Sequence, residues 1–114
     1  MARARMTMRA ELERNTAAAT DPHGHPVAPN FTPLATLPCW VWSRQAREVI
    51  DGDKTAVIED LRALFPAGAD VAEGDEIARV TDRRGVVLFA GRLRVDAAPQ
   101  RKVRHLEAAL KRVA

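Results

Sequence analysis

At 114 residues, 46% of them hydrophobic, and with a formal net charge of +3, the chain has room for one core rather than two. It contains no apolar run of about 18 residues to cross a bilayer, and the basic stretch from Met1 to Met6 is not followed by the apolar segment of a secretory signal. Its single cysteine, Cys39, excludes an internal disulfide, so a soluble protein held together by packing is expected.

Taken in chain order, residues 5–13 alternate Met6, Met8, Ala10 and Leu12 with polar neighbours, the period of a half-buried strand. Residues 15–38 hold five of the seven prolines and read as an extended loop or arm. Within it, Asp21-Pro22-His23-Gly24-His25-Pro26 has tight-turn chemistry. Cys39-Trp40-Val41-Trp42 places both tryptophans on one face of a second strand, roughly 35–45. Asp51-Gly52, set between Val49-Ile50 and Lys54-Thr55, is a strong hairpin signal.

Residues 55–65 carry two patterns at once. Val57, Ile58, Leu61, Leu64 and Phe65 have helical spacing, whereas Leu61, Ala63 and Phe65 alternate as in a strand; periodicity alone slightly favours helix. Turns follow at Pro66 to Asp70 and at Glu73-Gly74-Asp75. Ile77 to Thr81, the turn Asp82-Arg83-Arg84-Gly85, and Val86 to Phe89 read as a hairpin, which Gly91 interrupts before Leu93 and Val95. The segment 102–113 is contested too, because Val103, Leu106, Leu110 and Val113 are helically spaced among good helix formers.

Charge is unevenly placed. Residues 44–76 hold nine acidic and four basic side chains, and residues 83–114 hold nine basic and two acidic ones. Such a dipolar chain suits contact with complementary neighbours or with copies of itself.

The inventory for catalysis is thin. Ser43 lacks the glycine-flanked elbow of a serine nucleophile, and His23, His25 and Cys39 lack the paired spacing of a zinc site. No glycine-rich phosphate loop is present. A binding or assembly module is therefore expected rather than an enzyme, with no metal and no cofactor. Arg83-Arg84, Arg92, Arg94, Arg101, Lys102 and Arg104 could neutralise phosphates, which leaves a small basic DNA-binding barrel as the alternative.

The order Leu64-Phe65-Pro66-Ala67-Gly68-Ala69-Asp70-Val71, then Glu73-Gly74-Asp75-Glu76-Ile77, then Gly85 to Gly91, then His105 to Val113, preceded by the Asp21 to Pro26 turn, resembles the head-to-tail stopper, or head-completion, proteins of long-tailed bacteriophages. The resemblance covers about residues 6–113. It implies an all-β fold: a small antiparallel barrel or sandwich of about six strands in a single domain, with strands at 55–65 and 102–113.

It also implies a homo-oligomeric ring at the head-tail junction of the virion, between portal and adaptor proteins and the tail terminator or tail tube proteins. Such a ring closes the channel to packaged double-stranded DNA and serves as the docking platform for the tail. The loop between the second and third strands, here 44–55, would enter the channel with Arg47, Glu48, Val49, Ile50, Asp51, Gly52, Asp53 and Lys54. Arg92, Arg94, Arg101, Lys102 and Arg104 would meet neighbouring subunits.

Overall fold

Both contested segments are strands, and side-chain alternation shows why. Leu61, Ala63 and Phe65 are fully buried while Arg62 between them is not, and Leu106, Ala108 and Leu110 repeat the pattern with His105, Glu107 and Ala109 partly exposed. The two segments pair antiparallel from Leu61↔Leu110 to Pro66↔His105, so each presents an apolar face to the same interior. Helix propensity is worth a few tenths of a kcal/mol per residue, and burying a whole apolar face outweighs it. Val103, one of the helically spaced residues, is 97% exposed in a turn.

In the computed structural model the backbone is described for residues 6–50, 54–89 and 91–113, and side chains for these residues outside 44–59. The elements are β1 (Met8–Asn15), β2 (Phe31–Ile50), β3 (Lys54–Pro66), β4 (Glu76–Thr81), β5 (Val87–Phe89), β6 (Leu93–Val95), β7 (Gln100–Arg101) and β8 (His105–Arg112). The sheet runs β1-β2-β3-β8-β6-β4, and β4 pairs back onto β1, which closes a six-stranded antiparallel barrel. β5 adds to β4 and β7 to β8. Closure leaves these six strands no free edge where they pair around the barrel. The interior is a single cluster that includes Leu12, Val41, Phe65, Ile77, Val80, Leu93, Val95 and Leu106.

Two departures from the expected strand limits and two register slips have local causes. The proline-rich arm is shorter than 15–38, because Phe31 to Cys39 is already strand, paired with β1. Pro33 and Pro38 sit inside it, which a strand tolerates where it needs hydrogen bonds on one edge only. The register slips between Leu12 and Glu13, and Leu34 is left unpaired as a bulge. In β4 a second slip, between Ala10↔Val80 and Leu12↔Ile77, lets Ile77 and Val80 both face the core three residues apart. The last strand begins at His105 rather than 102, since Lys102 to Arg104 form its turn from β7.

The turns repeat one device. At Asp21 and again at Asp82 a carboxylate oxygen accepts the N–H groups two and four residues on, at 2.9 and 2.8 Å and at 2.7 and 3.0 Å. The fourth position is glycine in both, Gly24 at φ 81° and Gly85 at φ 86°, a backbone that side-chain-bearing residues rarely adopt.

Candidate functional site

The segment expected as an irregular channel loop is, in its described part, the outer half of a long two-stranded ribbon. β2 and β3 pair without a slip from Trp40↔Leu64 to Ile50↔Lys54. β8 leaves β3 at Leu61 and β1 leaves β2 at Cys39, so beyond these points the two strands have only each other among the described residues. Arg47, Glu48, Val49 and Ile50 lie on β2 and Lys54 on β3, while Asp51, Gly52 and Asp53 fall outside the described residues.

Seven residues from Arg44 to Ile50, at about 3.3 Å each, carry the ribbon roughly 23 Å past the barrel. The radius of gyration of 16.2 Å exceeds the about 13 Å of a compact chain of this length, as segments that reach beyond the barrel require. The pairs Met8↔Cys39 and Arg9↔Thr81 set the ribbon root beside the start of β1 and the end of β4. The Asp82 to Gly85 turn therefore lies at the ribbon end of the barrel.

At the end of the barrel away from the ribbon, beside the proline-rich segment, sequence reasoning missed an ion network. Asp75 and Glu76 are 4% and 5% exposed at their side chains. Arg14 donates to both oxygens of Asp75, at 2.9 and 2.8 Å, and the Ala72 N–H adds a third bond at 2.9 Å. Arg92 and Arg94 donate to Glu76 at 2.8 and 3.1 Å, and Arg92 also reaches Glu13.

The hydrogen bonds to Asp75 and then Asp70 hold the Arg14 guanidinium above its ordinary value, and those to Glu13 and then Glu76 do so for Arg92. Arg14 in turn holds the exposed Asp70 carboxyl below its usual range. The Arg92 guanidinium also lies 5.7 Å from the centre of the Phe31 ring, pinning the start of β2. The only signal of this cluster in the sequence is Asp75-Glu76 directly after a turn glycine, and that signal is common.

Arg92 and Arg94, expected to meet neighbouring subunits, pair with Glu76 in the chain while their side chains stay 38% and 49% exposed. Arg101, Lys102 and Arg104 are exposed at the β7–β8 turn, where Arg101 donates to the Ala67 carbonyl at 3.3 Å. The pair Pro66↔His105 places this turn at the end of β3 away from the ribbon. Beside the network an open cleft of about 550 Å³ is lined by Arg14, Phe31, Glu73, Asp75 and Arg94 among others. Arg14, Asp75 and Arg94 are already paired there.

The three residues weighed as zinc ligands are not brought together. His23 and His25 stand on the exposed Asp21 turn, and Cys39 lies inside the barrel. Burial pushes the Cys39 thiol from 9.0 up to about 12. Folded protein at pH 8 should therefore resist alkylation until it is unfolded, and rapid labelling under native conditions would contradict the barrel packing. Because the thiol pKa is raised on folding, its contribution to stability is complete below pH 9 and is lost as pH rises towards 12.

Fold and ribbon together define a small closed β-barrel protein with a projecting two-stranded ribbon. Residues 1–110 match DUF6093, a family of unknown function, and the chain belongs to that family. No curated protein and no solved structure gives a significant match.

Proposed function

We propose that this chain is a head-to-tail stopper: copies form a ring at the head-tail junction of a long-tailed phage, close the DNA channel after packaging and provide the platform for the tail. The observation that carries the reading is the ribbon, a two-stranded arm of roughly 23 Å on a rigid closed barrel. Arms of this reach, repeated around a ring, converge on its axis and block it sterically. Movement at the ribbon root, where partner strands end on both sides, opens the channel as a hinge.

The ribbon segment is also acidic, with Glu48, Asp51, Asp53, Glu59 and Asp60 against Arg44, Arg47 and Lys54. Net negative charge discourages adhesion to the phosphate backbone while DNA passes. Adaptor proteins on the portal side and tail terminator or tail tube proteins on the other are the ring's partners.

Deletion of residues 48–53 tests the gate. Heads carrying the shortened protein should still assemble the ring and dock tails, but should lose their DNA. Filled heads that stayed sealed would overturn the gate assignment.

A second reading, a basic DNA-binding barrel, is favoured by Arg83, Arg84, Lys102 and Arg104, which are exposed and have no carboxylate partner among the described residues. These cations lie on turns at the two ends of the barrel rather than in one groove, which weakens that reading. Affinity for duplex DNA that falls steeply with added salt would support it.

A further inference from the structure

Several lengths of strand edge have no partner among the described residues, and two of them matter for assembly. One is β5, which pairs with β4 through Val80↔Phe89 and Thr81↔Val87 and has nothing on its other side. The other is the outer edge of β3 from Lys54 to Asp60, which pairs with β2 alone until β8 joins at Leu61.

Free edges in native proteins are normally blunted by proline or charge, and the open edge of β2 carries Pro33 and Pro38 accordingly. These two are not blunted. Val86, Val87 and Leu88 are aliphatic and 56%, 50% and 43% exposed, and Thr55-Ala56-Val57-Ile58 is an uncharged, β-prone run. A two-stranded ribbon alone in water is also marginal, and a third strand stabilises it.

The two edges are complementary in charge. Arg83 and Arg84 lead into β5, both exposed, and Glu59-Asp60 end the uncharged run of β3. Asp60 is exposed, with Arg62 of the same chain 3.2 Å away as its partner. Antiparallel alignment sets Leu88 opposite Ala56 and Val86 opposite Ile58, so aliphatic meets aliphatic, and the turn that carries Arg83 and Arg84 then lies at the Glu59-Asp60 end of the β3 edge. Within one chain this cannot happen, because β8 and β6 stand between β3 and β4-β5 in the barrel.

We infer that the β5 edge of one copy pairs with the β3 edge of the next copy's ribbon, making a head-to-tail contact between identical chains. Such a contact uses two different surfaces and so propagates, closing into a ring when the rotation allows. It deepens the ring reading and rests on it: each subunit's arm is braced at its root by a neighbour's hairpin.

The test is a disulfide cross-link in the full chain. Single variants Val86→Cys and Ile58→Cys are mixed under mild oxidation at high protein concentration, with buried Cys39 silent. The crossed product should exceed the self-linked product of either variant by roughly tenfold, because a formed contact raises the effective thiol concentration. Arg84→Glu and Asp60→Arg should each diminish it, and the two changes combined in one chain should restore it.

Self-linking of Val86→Cys alone would overturn the inference in favour of two β5 edges meeting. Imaged rings without crossed product would overturn the contact and leave the ring reading standing. Absence of both rings and crossed product would overturn the contact as well. Crossed products that grow as open chains and never close would uphold the contact and sink the ring reading.

Discussion

Replacing Phe65 by alanine should lower stability by about 3–5 kcal/mol, the range for a large aromatic lost from a rigid core. Phe65 is the largest fully buried side chain among the described residues. It sits on β3 where β2 and β8 both pair with the strand or its neighbours, so the walls around it are fixed by sheet hydrogen bonds and cannot collapse into the void. The midpoint of urea unfolding should fall with an unchanged slope. A shift worth less than about 1 kcal/mol would mean that the barrel interior is not packed as described. Ile77→Val, one methylene smaller in the same interior, should cost only about 0.5–1.5 kcal/mol.

Glu76→Ala is the second large effect, about 3–5 kcal/mol, because it removes a buried carboxylate that accepts from two guanidinium groups. Glu76 is 5% exposed at its side chain while Arg92 and Arg94 are 38% and 49% exposed. The cations can turn partly to solvent, and Arg92 keeps Glu13, which places the loss towards the lower end of that range. Glu76→Gln keeps the shape and one acceptor oxygen and should lose about 1–3 kcal/mol. If the two variants were equally and only slightly destabilised, the network would be no more than a surface ion pair.

Acid should weaken the same end of the barrel. Asp70 is held below its usual range by Arg14, so its contribution is present above the ordinary carboxylate pKa and is lost as pH falls through the depressed value.

How much of this was legible in the sequence depended on which physical term governs each segment. Where alternation and turn chemistry agreed, as at Ala10 and Leu12 or Asp82 to Gly85, the pattern gave the strand and the hairpin directly. At 55–65 and 102–113 local spacing and propensity pointed to helix, and the strand followed only from the implied barrel, because the decisive energy is burial against strands distant in sequence. Pro33 and Pro38 disguised the first half of β2 as an arm; nothing local tells a one-edged strand from a loop.

At the candidate site, the Asp51-Gly52 signal marked where β2 turns back to β3. The length of the ribbon was hidden, since a strand outside the core needs no apolar alternation. The use of Arg92 and Arg94 within the chain was equally hidden. Their partners Glu13 and Glu76 come from separate strands, and only the closure of β4 onto β1 brings all four together.

Electron cryomicroscopy of filled heads with tails attached tests the proposed function most directly. The expected image is a closed ring of this chain between the portal-side adaptor and the tail, with each β2–β3 ribbon pointing towards the channel axis. A junction without this chain, or a ring whose ribbons lie on its outer surface away from the DNA path, would contradict the stopper proposal.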